Sequence, residues 1–288
     1  MTMTAEQKIQ YETQGFLHLP GALDSRTLAR FKSAFDAAAQ KYASQWKGGT
    51  GSNGSTPQYF DIPHILDQDD VFSDLLDAPT VFPVLMEILG GDLQLHQTMA
   101  RIFPPGETLT GEWHTDLEGM HGIDLGHSSN FMLKVHYYPE DLTPDQGCLA
   151  FIPGSHRYPL GHPLIRIDHT KASPAITKIV PKAGDAVLFN VHVRHMALDN
   201  TSPRIRKSLI YAYSHFWVKS YPNAAPKDLD RLATTPERKQ LFGIPTGGKE
   251  GSYFQQTLLP PTLRVDVNNL LMAGRTLLSK TKKAYLSK

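Results

Sequence analysis

Between residues 93 and 217 the chain is a succession of short β-prone runs broken by Gly, Pro, Asn and Asp, and this punctuation restricts the fold most. The runs fall at 92–103, 111–116, 130–138, 148–152, 176–180, 186–195 and 206–217. No helical repeats separate them, which argues against β-α-β units with parallel strands. Antiparallel pairing in a barrel or sandwich is the expected outcome. The preceding residues read as helix, short strand, helix. Gly15-Phe-Leu-His-Leu alternates like a strand and is stopped by Pro20-Gly21. Asp24 and Ser25 can cap a helix in which Leu28, Phe31, Phe35 and Tyr42 recur at roughly helical spacing. A further helix is predicted over 79–89, ended by Gly90-Gly91. Residues 48–56, rich in Gly, Ser, Thr and Asn, read as a surface connection, with a lid over a site as the competing reading. They lack the Gly-Lys-Ser/Thr of a phosphate-binding loop. We expect one domain: a helical N-terminal region over residues 1–90, a β core of about 92–217 and an extension over 218–288. Residues 275–288 carry basic but no acidic side chains. The end of the chain reads as a segment packed on the domain or frayed, with a basic amphipathic helix as the alternative.

Composition narrows the partners. Hydrophobic residues make up 40% and charged residues 20% of the 288, an ordinary globular balance. A formal net charge of +1 gives no drive toward nucleic acid or an anionic membrane, and offers no basic pocket for the phosphates of a CoA thioester. With Cys148 as the single cysteine, neither an intramolecular disulfide nor a Cys-based zinc site can form. The first residues lack the apolar core of a secretory signal, and no apolar run is long enough to span a bilayer. A cytoplasmic protein with no membrane span and no nucleic-acid partner is expected. Oligomeric state is not legible.

The chemical signal begins at Trp113-His114-Thr115-Asp116. On an extended segment residues i and i+2 share a face, so His114 and Asp116 can grip one divalent metal from adjacent corners. A lone His-x-Asp is weak, because a chain with 13 histidines contains about one by chance. A second histidine must come from a later strand, and 184–195 offers two. Val187, Phe189, Val191 and Val193 share parity with His195, which therefore continues the apolar inward face, whereas His192 shares parity with Asn190 and Arg194. If the turn-rich stretch 199–203 closes a hairpin, His195 faces Arg206, followed inward by Ser208, Ile210 and Ala212. Two His and one carboxylate form the facial triad of non-haem iron sites, with open positions for a bidentate 2-oxo acid and dioxygen. An inward guanidinium beside that metal supplies a clamp for the distal carboxylate of 2-oxoglutarate.

At this point the chain resembles the phytanoyl-CoA dioxygenase family, including its ectoine hydroxylase-like members. The similar stretches are residues 11–24, Gly147-Cys-Leu-Ala-Phe-Ile-Pro-Gly-Ser-His156, and Gly184-Asp185 followed by His195, Asn200 and Arg206. The resemblance spans roughly residues 5–217. It implies a mainly β protein with flanking helices around a double-stranded β-helix (jelly-roll) core. It also implies Fe(II) at His114, Asp116 and His195, and 2-oxoglutarate at Arg206. Gln97 and Arg101 occupy positions similar to ones that contact cosubstrate or substrate in the family. Arg101 stands where the ectoine-type pattern is uncharged, which leaves its role open. Met196-Ala197 stands where the family often has Gly-Ser, whose hydroxyl helps hold 2-oxoglutarate. His156 reads as a turn-stabilising residue rather than a ligand. Lys134, His136 and Tyr138 share one strand face, toward pocket or solvent. Residues 117–129 look like a loop beside the metal.

The expected function is therefore an Fe(II)- and 2-oxoglutarate-dependent oxygenase acting on a small molecule with O₂, hydroxylation being the default outcome. Desaturation, epimerisation and cyclisation share the chemistry. The competing readings are a non-redox cupin-like metalloenzyme, an isomerase or hydrolase on the same triad, and a binding protein that has lost catalysis. Arg206 weighs against the first and the intact triad against the second.

Overall fold

A computed structural model describes residues 2–47, 59–91, 93–105, 113–116, 130–159, 162–163, 175–221 and 224–244. The expectations for 48–56, 117–129 and the C-terminal segment lie outside the described residues. Helix α1 (Ala5–Gln14) starts at Thr4 with a capping box to Gln7 and ends on Gly15 at φ 84°. Helix α2 (Ser25–Lys41) is capped by Asp24, whose carboxylate accepts from Thr27 N at 2.8 Å. It buries Phe31, Ala34, Phe35, Ala38 and Ala39. Short helices α3 (Ala43–Trp46) and α4 (Asp70–Asp74) follow, then α5 (Phe82–Leu89) with Pro83 in its first turn. Two short helices, α6 (Leu229–Leu232) and α7 (Pro236–Leu241), come last.

The strands are β1 (Phe16–Leu19), β2 (Phe60–Ile62), β3 (Leu93–Phe103), β4 (Met132–Tyr137), β5 (Leu149–Phe151), β6 (Thr177–Ile179), β7 (Ala186–Asn190), β8 (His195–Ala197) and β9 (Arg206–His215). They form a six-stranded sheet of order β1-β7-β4-β9-β3-β2 and a three-stranded sheet β6-β5-β8, with every pairing antiparallel. Alternation on β9 assigns its two faces. Leu209, Tyr211 and Tyr213 turn outward into the helical core, where Tyr211 Oη donates to Phe72 O at 2.5 Å and Tyr213 Oη to Leu76 O at 2.7 Å. Arg206 and Ile210 turn inward toward the small sheet, as the parity argument requires. Between the sheets Phe16 stacks on Phe151, which meets Phe189 edge-on, and the three pack with Val187, Val193 and Leu149 in a second apolar cluster.

Two expectations are corrected. The run 186–195 is not one strand: it leaves the large sheet at Asn190, turns, and re-enters the small sheet as β8. Consequently β8 and β9 do not form a hairpin. β8 pairs with β5, while β9 pairs with β3 and β4, and Arg206 stands opposite Phe103 rather than His195. The stretch after β8 is held elsewhere, since Asn200 Nδ2 donates to Phe103 O and Arg204 O. The N-terminal region also contributes more than helices. β1 and β2 are the edge strands of the six-stranded sheet, which leaves its central strands paired on both sides.

Candidate active site

The site is assembled by backbone pairing between two sequence-distant segments. His114 N–H donates to His195 O at 3.1 Å, His195 N–H returns to His114 O at 2.9 Å, and Asp116 N–H donates to Val191 O at 3.1 Å. The extended conformation then brings His114 and Asp116 together beside His195. The two imidazole centroids are 4.5 Å apart, and Asp116 Oδ2 lies 3.8 Å from His195 Nε2. One donor atom from each of the three residues lies within 4.8 Å of the others. Among the described residues no other trio of His, Cys, Asp or Glu converges in this way.

The residues around this trio prepare the donors. His195 Nδ1 lies 2.9 Å from Val193 O; a carbonyl can only accept, so Nδ1 carries the proton and Nε2 presents its lone pair to the site. Burial holds His195 down at about 4, against the opposing pull of Asp116, so the ring is neutral near pH 7. Burial would raise Asp116, but the Lys134 ammonium beside it outweighs burial, by charge and by hydrogen bond, and holds the carboxyl below the usual range. Lys134 Nζ sits 2.5 Å from Asp116 Oδ1. Oδ2 is buried and makes no hydrogen bond. An orphaned, ionised oxygen facing two imidazoles is what a divalent cation would satisfy, and this N₂O donor set suits Fe(II).

The Pro-Gly-Ser-His turn secures the histidine indirectly. Ser155 Oγ accepts from Arg194 N at 2.8 Å, and Ile152 N donates to Arg194 O at 2.9 Å. His156, in the same turn, is buried and lies outside the trio. Gly15 explains why the turn can lie so close to α1: a Cβ there would come within 2.5 Å of both Val193 and His156 side chains.

Beside the trio opens a cavity of about 300 Å³ lined by Gln97, Arg101, Lys134, His136, Arg206 and Tyr221 among others. Arg206 is 3% exposed and donates through Nη1 to Gly147 O. Its Nε is buried without a partner, and no carboxylate pairs with it among the described residues. Such a guanidinium is costly unless an acid arrives from outside. Gln97 follows a bulge in β3 and faces the cavity. Arg101 also faces it, but its Nε and Nη2 each donate to Asp61 at 2.8 Å, and it stacks 3.9 Å from the Tyr59 ring centroid. The sequence reading missed Asp61; β2, which carries it opposite Arg101, is only three residues long. Lys134 and His136 line the pocket, and Tyr138 is buried, which resolves their shared face as inward. Burial, then the Arg206 charge, holds His136 well below its ordinary value and hence neutral. No helix among the described residues is long and apolar enough to cross a membrane.

Fold and donors define the class: a double-stranded β-helix metalloenzyme of the non-haem oxygenase type. The chain belongs to the phytanoyl-CoA dioxygenase family, which it matches over residues 11–208. It is 25% identical over 237 residues to the ectoine dioxygenase of Stutzerimonas stutzeri, covering 74% of this chain and 77% of that one. It is 21% identical over 234 residues to the L-proline trans-4-hydroxylase of Streptomyces griseoviridis, covering 73% and 85%. The fold is similar to that of HygX from Streptomyces hygroscopicus, solved with nickel and 2-oxoglutarate bound, at a TM-score of 0.60 and 18% identity over 77% of this chain and 90% of that one.

Proposed function

We propose that His114, Asp116 and His195 hold Fe(II), and that Arg206 receives the distal carboxylate of 2-oxoglutarate. The protein is a 2-oxoglutarate-dependent non-haem iron oxygenase, and we assign it the hydroxylation of a small-molecule metabolite by a single catalytic domain. The observation that carries the residue assignment is the coincidence, in one cavity, of three converging donors and a buried guanidinium without a counter-ion. When bound, iron and 2-oxoglutarate supply oxidising chemistry in which O₂ gives one atom to the substrate and one to succinate, with release of CO₂. The chain's own residues set the conditions for it. Val193 O fixes the His195 tautomer, and Lys134 holds Asp116 Oδ1 so that Oδ2 stays free. Phe151 and Phe189 pack against the His195 ring and exclude water from that side. Tyr59 and Tyr221, both partly exposed, flank the cavity where a substrate enters.

The test is anaerobic. Fe(II) and 2-oxoglutarate added to metal-free protein should give the visible charge-transfer band of a chelated 2-oxo acid. The band should vanish in His195→Ala. Folded, iron-loaded protein that gives no band would overturn the assignment and favour a non-redox metalloenzyme.

A further inference from the structure

One cavity cation has no assigned counter-ion. The charged side chains that line the cavity, together with Asp61 behind Arg101, are three cations (Arg101, Lys134, Arg206) and two carboxylates (Asp61, Asp116) among the described residues. A divalent metal and the dianion 2-oxoglutarate cancel each other, so the described lining of the loaded cavity keeps one positive charge. Its location follows from the contacts. Asp61 meets Arg101 through two hydrogen bonds of 2.8 Å. Arg206 is met by the distal carboxylate of 2-oxoglutarate. Asp116 is shared between Lys134 at Oδ1 and the metal at Oδ2, so the metal draws off most of the charge that now balances Lys134. Lys134 is 14% exposed, and the residues paired with it on the neighbouring strands, Phe189 and Ala212, are uncharged.

We propose that Lys134 is a specificity-determining residue that binds an acidic group on the substrate, and that the molecule oxidised is a small carboxylic acid. This rests on the iron and 2-oxoglutarate reading. A desolvated ammonium discriminates strongly between a carboxylate and its neutral amide, because the amide leaves the buried charge unpaired. Since Nζ lies against a metal-facing carboxylate, the acid group and the carbon to be oxidised are near neighbours in the substrate.

The experiment uses the full chain loaded anaerobically with Fe(II) and 2-oxoglutarate. Propionate, cyclohexanecarboxylate and their neutral amides are titrated at constant ionic strength, and the perturbation of the charge-transfer band is followed. Both acids should perturb the band at concentrations at least about tenfold lower than their amides, as loss of a charged hydrogen bond predicts. That preference should disappear in Lys134→Met and Lys134→Gln, each titrated at its own saturating Fe(II) and 2-oxoglutarate because Lys134 also holds the metal-facing Asp116. Acids and amides acting alike, neither acting, or a preference that survives both substitutions would overturn the Lys134 assignment and leave the iron reading standing. An acid that enters by coordinating the metal directly would show the last pattern. If the wild-type band never forms, the iron reading fails first and the inference falls with it.

Discussion

Replacing Arg206 by Met separates what the residue does for the fold from what it does for the cosubstrate, because the two effects have opposite signs. Arg206 is 3% exposed with no carboxylate partner among the described residues, held by hydrogen bonds to Gly147 O and to the Tyr138 phenol. Desolvating such a charge costs several kcal/mol, whereas losing its hydrogen bonds to Gly147 O and Tyr138 costs about 3 kcal/mol together. Desolvation therefore wins by about 1–2 kcal/mol, and the metal-free variant should melt higher than wild type, by roughly 2–4 °C per kcal/mol. Cosubstrate binding should move the other way. Deleting one partner of a buried charge pair costs about 2–4 kcal/mol, so 2-oxoglutarate should bind roughly 30- to 1,000-fold more weakly. Metal affinity should barely change, since Arg206 is not one of the three converging donors. Differential scanning calorimetry reads the first effect and anaerobic titration of the charge-transfer band the second. A variant that binds 2-oxoglutarate within threefold of wild type would refute the reasoning, whatever its melting temperature.

Ser155→Ala leaves the Arg194 N–H without its acceptor one residue before His195, and should cost about 1–3 kcal/mol of stability together with weaker metal binding. Calorimetric titration with Mn(II) checks the coupling, and unchanged metal affinity would show that the turn does not position the ligand. Burial holds His156 down at about 4. Its folded value lies below the ordinary value of about 6.5, so its contribution is complete above that pH and is lost as pH falls toward 4, at about 1.4 kcal/mol per unit. His156→Gln should flatten denaturant-measured stability across that window, and an unaltered pH slope would exclude His156 as a source.

Legibility in the sequence followed the range of the interaction. Parity along one run picked out His195, which the structure brings beside His114 and Asp116, and Val187, Phe189, Val191 and Val193 are all fully buried. Yet the route was wrong, since the chain changes sheets after Asn190 and alternation carried across the turn. Local turn signals suggested a β8–β9 hairpin; the pairing of β9 with β3 and β4 has no local signature, being a choice among strands distant in sequence. Arg206 reached the cavity anyway, because its inward face is fixed by alternation within β9 and not by the identity of its neighbour. One helix start was legible from capping chemistry, since Asp24 caps α2 as read, whereas the helix expected from residue 79 begins at Phe82. What stayed hidden were pairs made by tertiary structure alone, Asp61 with Arg101, Lys134 with Asp116 and Ser155 with the Arg194 backbone.

Ala197 offers a test of how far the site departs from its family. It lies on the same inward face of β8 as His195, lines the cavity, and pairs with Leu149 on β5. The resemblance places there a serine whose hydroxyl helps hold 2-oxoglutarate. On the proposed assignment, an alanine removes that donor and leaves Arg206 as the principal anchor. Ala197→Ser adds one small polar atom to a wall that already faces a cavity, so overpacking is not expected. A hydrogen bond to a charged acceptor contributes about 1.5–3 kcal/mol at best, of which ordering the hydroxyl and its desolvation take a share. A gain of about 1 kcal/mol, or roughly fivefold in 2-oxoglutarate affinity, is the expected outcome in the anaerobic titration. The gain should shrink when Arg206 is also Met, because a cosubstrate no longer anchored at its distal end does not hold its carboxylate against residue 197. If Ala197→Ser weakens binding instead, the cosubstrate lies differently against β8 here than the family pattern implies. The alanine would then be a fitted contact.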